Sequence, residues 1–113
     1  MELVRKHEGR KWAPPGHAGV VSREIVSTAM TAQAATIHVS IMAPGSSSEL
    51  DAHPHSEQTF FVLAGALRFT DGVVALVAEA GDAVFIPAND PHGIRNDGAV
   101  EAVCLVVTAP PLT

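Results

Sequence analysis

Residues 45–65 read GSSSELDAHPHSEQTFFVLAG, and this stretch decides the predicted fold and site. Asp51, His53 and His55 occupy alternate positions, and alternate side chains of an extended strand project from the same face. Gln58 follows after a gap short enough for a tight turn, ahead of a run with strand composition. The stretch therefore predicts half of a metal site, with a further ligand supplied from elsewhere in the chain.

The missing ligand is predicted in residues 81–96, which read GDAVFIPANDPHGIRN. Ala83–Ile86 has the composition of a strand, and it stops at Pro87, which cannot donate a hydrogen bond to a sheet ladder. A turn-rich cluster follows and leads to His92. We therefore expect His92 to meet the first stretch at the end of a strand.

The two stretches resemble the two sequence motifs of the cupin family, usually written G-x5-H-x-H-x3,4-E-x6-G and G-x5-P-x-G-x2-H-x3-N. In the first motif, 45–65, Gly45, His53 and Gly65 match; in the second, 81–96, the matching residues are Gly81, Pro87, His92 and Asn96. The fixed spacings make a chance match improbable. The resemblance implies an all-β fold, the cupin double-stranded β-helix or jelly-roll barrel.

The sequence departs from the family pattern at the ligand positions. The family spacing places Asp51 at the first histidine and Gln58 at the glutamate. Two ligand sets therefore remain open. One keeps the spacing and consists of Asp51, His53, Gln58 and His92; the other keeps a His-x-His pair and consists of His53, His55 and His92, with Gln58 as an optional fourth ligand. Only His53 and His92 belong to both sets.

Imidazoles combined with a carboxylate or amide oxygen suit divalent first-row ions, so the predicted cofactor is iron, manganese, nickel, zinc or copper. With the His55 set the ligands are neutral, whereas Asp51 restores one negative charge. A neutral ligand set leaves more charge on the ion and favours polarisation of a carbonyl or carboxylate. Both histidines must be deprotonated to bind, so metal affinity is expected to fall at low pH.

The rest of the chain reads as short strands separated by turns, with no sustained helical periodicity, which is typical of a sandwich or barrel. Asp71-Gly72 between two strand-like runs is a strong hairpin signal. A loose tail is expected over residues 109–113. The predicted strands are Val20–Val26, Thr36–Met42, Thr59–Leu63, Leu67–Thr70, Val73–Val77, Ala83–Ile86 and Val100–Thr108.

An apolar barrel lining is expected to exclude water from the substrate. Thr36–Met42 alternates cleanly, which leaves His38 facing either the site or the solvent. Trp12 beside two prolines is interpreted as a packing anchor of an extended N-terminal arm, in preference to a ligand-stacking residue. The predicted substrate-binding residues are His38, Phe60, Phe69 and Phe85, and Phe61, Val62 and Ile86 are further candidates for the lining.

Length and composition limit the classes of protein. The 113 residues predict a single domain, 1–113, with an arm at 1–19 and a barrel at 36–108. Seven basic and 12 acidic residues give a net charge of −5, which argues against nucleic acid or an anionic membrane as partner. Hydrophobic residues make up 47% and charged residues 17%, so we expect a homodimer.

No apolar run reaches the length of a membrane span, the first residues lack the apolar core of a signal peptide, and a cytoplasmic protein is expected. The single cysteine, Cys104, lies in an apolar run and is predicted to be a buried thiol.

Two functional classes remain from the sequence. The first is a metal-dependent enzyme that acts on a small oxygen-rich organic molecule, as an isomerase, cyclase, decarboxylase or dioxygenase. The second is a non-catalytic cupin that binds or senses a small molecule, or stabilises a partner protein, without a metal. A fold by itself does not decide between them.

Overall fold

The computed structural model describes residues 1–112. This part of the chain forms nine strands and one short 3-10 helix, Thr28–Met30. The strands are β1 (Lys11–Trp12), β2 (His17–Val26), β3 (Thr36–Ser48), β4 (Glu57–Ala64), β5 (Ala66–Thr70), β6 (Ala75–Glu79), β7 (Ala83–Ile86), β8 (Gly93–Arg95) and β9 (Ala102–Ala109). The all-β prediction is confirmed.

All paired strands are antiparallel, and they form a nearly closed barrel in which two layers face each other. One layer has the order β1-β2-β3-β9-β4-β7, and the other contains β8, β5 and β6. Strand β3 links the layers because it pairs with β2 and β9 and also, at Ser47, with β8. This arrangement confirms the predicted jelly-roll architecture.

The long strand β3 changes layer near Gly45. Gly45 has a φ of +79°, in the left-handed region that favours glycine, and its N–H donates to the carbonyl of Asn96 over 2.8 Å. Asn96 secures the same bend from the other side. Its buried side chain donates to the carbonyls of Met42 and Val100, each over 2.9 Å, and accepts from the N–H of Gly98.

The core lies between the two layers and follows from the alternation of the strands. In β4 the side chains of Gln58, Phe60 and Val62 point inward, and the Phe60 ring meets that of Phe69 from β5 at 5.4 Å between centroids. The other buried core residues are Val20, Met42, Leu67, Ala78, Val84, Ile94, Ala102, Cys104 and Val106. This core forms the interior of the barrel, and part of it also lines a cavity.

Both ends of the chain are more ordered than the sequence predicted. Within the arm, Lys11–Trp12 forms β1 and pairs with β2, which itself begins at His17. At the other end, the carbonyl of Pro110 accepts a 2.7 Å hydrogen bond from Ser56. The expectation of a loose tail is therefore wrong for Ala109, which ends β9, and for Pro110, while Thr113 lies outside the described residues.

Among residues 1–112, no helix combines the length and the apolar character that crossing a membrane would require.

Candidate functional site

A cavity of about 330 Å³ lies inside the barrel, and several core residues form part of its wall. Its walls come from β2, β3, β4 and β9, together with the loops that bear His53 and His92. The N-terminal arm closes one side with Trp12, and Leu112 near the C-terminus lies at the mouth. Residues far apart in sequence therefore share one enclosure, which is typical of a ligand site.

His53 and His92 meet at this cavity. Their ring centroids lie 5.4 Å apart, with 55° between the ring planes. The backbone brings them together, because Asp51 and His92 form an isolated antiparallel bridge with hydrogen bonds of 3.0 and 2.9 Å. A further bond, 2.8 Å from the N–H of Asn89 to the carbonyl of His53, ties the two motifs a second time.

The contacts of the two imidazoles bear on how they could bind an ion. Nδ1 of His92 lies 3.1 Å from the carbonyl oxygen of Asp90, and because a carbonyl only accepts, this contact places the proton on Nδ1. In this tautomer of the neutral ring, Nε2 is the nitrogen that carries the lone pair. Burial lowers the pKa of His53; the nearby Asp51 carboxylate opposes this effect and His92 adds to it.

Gln58 supplies the third candidate donor. Its side chain is only 6% exposed, lines the cavity, and donates from Nε2 to the hydroxyl of Thr108 over 3.1 Å. Its carbonyl oxygen, Oε1, is buried and accepts no hydrogen bond from any described residue. A buried acceptor without a partner is costly, by about 1 to 3 kcal/mol, so this oxygen is suited to an incoming ligand or ion.

Asp51 and His55, which distinguish the two predicted ligand sets, occupy different environments. Asp51 lines the cavity, although its side chain is exposed and its Oδ1 accepts a 2.8 Å bond from the N–H of Ala52. His55 is exposed at the tip of a turn closed by the Ser56 N–H and the His53 carbonyl, and it does not line the cavity. The expectation that Asp51, His53 and His55 project from one extended strand is therefore wrong.

The donor set fits a divalent ion as a partial shell. His53, His92 and Gln58 line the same cavity, and two nitrogens with one orphan amide oxygen match the preferences of first-row ions. Among residues 1–112, however, no three His, Cys, Asp or Glu side chains converge closely enough to hold an ion by themselves. Any ion here would therefore depend on Gln58 and would retain open positions for water or substrate.

The predicted aromatic lining is only partly correct. Phe60 lines the cavity and lies 6.0 Å from the His92 ring, whereas Phe69 is buried behind it in the core. Phe61 and Phe85 were expected in the lining but point outward, with 40% and 56% of their surfaces exposed. The reason is strand alternation, since Phe61 follows the inward Phe60, and Phe85 follows the inward Val84.

His38 lines the cavity, which selects one of the two orientations left open by the sequence. Its neighbours were not predicted as site residues. Trp12 contacts the His38 ring edge-to-face at 5.4 Å between centroids, and Ser22 and Ser40 share a 3.2 Å hydrogen bond on the same wall. Ser40 lies two residues from His38 on β3, so strand alternation alone would have indicated its orientation.

Cys104 is a buried thiol, as predicted, and it forms part of the cavity wall. Burial raises its pKa to about 12, and a backbone hydrogen bond at Ser40 opposes that effect. The thiol is therefore protonated at neutral pH and contributes an apolar surface, because the thiolate is the nucleophilic form.

The sequence also matches a family profile, that of the Cupin domain, over residues 38–108. The chain belongs to the cupin family. The matched segment begins at His38 and contains His53, Gln58 and His92. No curated protein matches the sequence of this cupin.

Solved structures show the same fold at low sequence identity. The polyketide cyclase RemF from Streptomyces resistomycificus superposes with a TM-score of 0.86 at 22% identity, over 99% of this chain and 81% of that one. A predicted oxalate decarboxylase from Thermotoga maritima superposes with a TM-score of 0.85 at 26% identity, over 97% of this chain and 100% of that one. An RmlC-like cupin from Shewanella frigidimarina superposes with a TM-score of 0.80 at 18% identity, over 98% of this chain and 92% of that one.

Proposed function

We propose that this cupin is a metal-dependent enzyme that acts on a small oxygen-rich organic molecule. The observation on which the proposal rests is the convergence of His53 and His92 in one cavity with the orphan carbonyl oxygen of Gln58. The similarity to a predicted oxalate decarboxylase and to a polyketide cyclase supports a decarboxylase or cyclase type of reaction. Isomerisation and dioxygenation are the further reaction types that the fold accommodates.

The residues of the chain have separable roles in this proposal. A divalent ion of iron, manganese, nickel, zinc or copper would be held by His53, His92 and Gln58. Asp51, two residues before His53, also lines the cavity and is the candidate for a further, charged ligand. Such an ion supplies Lewis-acid polarisation of a carbonyl or carboxylate oxygen. Phe60 excludes water beside His92, and the contact to Asp90 keeps the His92 proton on Nδ1.

The test is metal content in matched histidine variants. Protein purified without added ions is reconstituted with each candidate ion and assayed by elemental analysis. We expect one ion per chain for the wild type and a loss of at least tenfold in affinity for His92→Ala and for Gln58→Leu. His7→Ala is the matched control, because this exposed histidine lies outside the cavity and belongs to neither ligand set.

The comparison also decides between the two predicted ligand sets. Loss of metal in Asp51→Ala alone supports the set with family spacing, and loss in His55→Ala alone supports the His-x-His set. Wild-type protein that takes up no ion, or His92→Ala that binds it as tightly as wild type, contradicts the metal-dependent function.

A metal-free binding or sensing cupin is the second candidate, and one observation favours it. The described residues place no three His, Cys, Asp or Glu side chains together, so the site lacks a full set of the usual ligands. In that case Gln58 Oε1 would accept a hydrogen bond from a ligand hydroxyl or amide. Saturable binding of a small molecule by metal-free protein, without turnover when ions are added, supports this second function.

A further inference from the structure

The cavity has a second polar wall, distinct from the one that bears His53 and His92. It consists of Trp12 from β1, Ser22 from β2, and His38 and Ser40 from β3, and we call it the β1–β3 wall. Strand pairing fixes its geometry, because Trp12 lies opposite Ser22 and Ser22 lies opposite Ser40. None of these residues belongs to either candidate ligand set.

Trp12 is held rigidly on this wall. Pairing of β1 with β2 fixes its backbone, and the guanidinium of Arg10 lies over the indole at 4.7 Å from the ring centroid. Arg10 in turn forms a 2.9 Å ion pair with Glu24, and it does not line the cavity. These contacts place the Trp12 indole at the cavity wall, where it offers an aromatic surface to a flat ligand.

The wall also offers unused hydrogen-bonding groups. Neither ring nitrogen of His38 is bonded to a side chain or backbone group within residues 1–112. Ser22 is fully buried and Ser40 is 8% exposed, and their hydroxyls share one hydrogen bond. When Ser22 donates this bond, the Ser40 hydroxyl keeps its hydrogen for a ligand. Burial, reinforced by His17, lowers the pKa of His38 to about 4 although Glu24 opposes the shift. The neutral imidazole has one donor and one acceptor.

Permanent positive charge is missing from the described cavity lining. None of the described residues that line the cavity is lysine or arginine, although His17 lines it, and Glu49 and Asp51 both line it. An ion at His53 and His92 could take one carboxylate of a substrate, but a second carboxylate would find no lysine or arginine, and His17 is the further histidine there outside the β1–β3 wall. Burying such a charge without a partner is strongly unfavourable. The wall therefore disfavours dicarboxylates.

We propose that Trp12, His38 and the Ser22–Ser40 pair form a subsite for an uncharged aromatic ring that bears a hydroxyl or carbonyl group. The ring packs against the indole, and its oxygen exchanges hydrogen bonds with His38 and the serine hydroxyl. The proposal rests on the proposed function only in assigning the substrate to this cavity, and it holds with or without a bound ion. Through Trp12, it gives the N-terminal arm a share in the specificity for neutral aromatic molecules.

The test uses 2-naphthol as the probe and 2-naphthoate and oxalate as charged comparisons, with metal-free protein. Trp12 is the single tryptophan, so its indole N–H gives one signal in a ¹H–¹⁵N spectrum. We expect 2-naphthol to shift this signal saturably, and calorimetry to show binding at least tenfold weaker for 2-naphthoate. Oxalate is expected to leave the indole signal unchanged.

Variants assign the binding to the β1–β3 wall. His38→Leu and Trp12→Leu should each raise the dissociation constant for 2-naphthol by about fivefold or more, while His55→Leu, the same change outside the cavity, leaves it unchanged. His38→Gln, which keeps a donor and an acceptor, should restore part of the affinity. Circular dichroism checks that each variant is folded.

Two results would overturn the subsite: 2-naphthoate binding as tightly as 2-naphthol, or wild-type affinity in folded His38→Leu and Trp12→Leu. Failure of the metal proposal has a different signature, namely no ion uptake while 2-naphthol still binds. The two proposals can therefore fail separately.

Discussion

His38 gives the chain a pH-dependent stability at the scale of a single residue. Burial is the main reason why its pKa falls from 6.5 to about 4. Between these two pH values, His38 binds a proton in the unfolded chain but remains neutral in the folded chain. The contribution of the neutral His38 to the free energy of unfolding is therefore fully present above about pH 6.5, and it is lost as the pH falls towards 4. We expect this residue to remove about 2 to 3 kcal/mol of unfolding free energy between pH 7 and about pH 4.5.

Urea unfolding of the wild type and of His38→Gln at both pH values measures this contribution. The variant cannot gain the proton, so it should lose less stability on acidification, by about 2 kcal/mol. The variant His55→Gln removes an exposed imidazole and should follow the wild type. An identical loss in wild type and His38→Gln would show that His38 is protonated without cost in the folded protein.

At the scale of a structural element, the second motif depends on the turn that contains Asn89. Its φ of +66° lies in the left-handed region, which asparagine tolerates better than most residues and glycine adopts freely. We expect Asn89→Gly to change stability by less than about 1 kcal/mol, and Asn89→Val to lose about 1 to 2 kcal/mol. Urea unfolding measures both.

The same turn also positions His53, because the Asn89 N–H donates to the His53 carbonyl. Metal or ligand affinity at His53 should therefore fall in Asn89→Val and persist in Asn89→Gly. Equal stability of the two variants would show that the turn relaxes without strain, and equal affinity would show that this backbone bond does not position His53.

The strands illustrate what local sequence patterns determine. Ala83–Ile86 was predicted with its observed bounds because a short β-rich run is limited by Gly81 and Pro87. Thr36–Met42 is only the first half of β3, since residues 43–48 contain Pro44 and serines. The second half, residues 43–48, is a strand because it pairs with β2 and β8. A local sequence pattern contains no information about this pairing.

The part of the candidate site that could be predicted is the part whose residues stand at the motif positions of the cupin family. His53 and His92 come from matched motif positions and do meet, whereas strand alternation failed for His55 because residues 53–56 form a turn. The place of Trp12 in the cavity depends on the pairing of a two-residue strand with β2, which arises only in the folded chain.

At the scale of the whole molecule, the outer face of the larger layer is apolar. Val39, Leu105 and Phe61 lie side by side across β3, β9 and β4, and Phe85 on β7 extends the row beside Thr59. Phe61 and Phe85 are exposed, Leu105 is half-buried and Val39 is only 9% exposed, so the two phenylalanines supply most of the accessible surface. We define these four apolar residues as the outer face. Contiguous apolar surface of this kind marks protein interfaces, and a twofold-symmetric pair would cover the same face on both copies.

We therefore expect the chain to sediment as a dimer in analytical ultracentrifugation. Phe61→Asp should raise the dissociation constant of the dimer by at least about 100-fold, because the interface would bury an unpaired carboxylate. Val77→Asp is the matched control, since Val77 is an exposed apolar residue on β6 in the other layer. A monomeric wild type, or equal dissociation in both variants, would exclude the outer face as the interface. Because strands β3, β4 and β9 have one side on this face and the other on the cavity, the dimer would also brace the walls that hold His38 and Gln58.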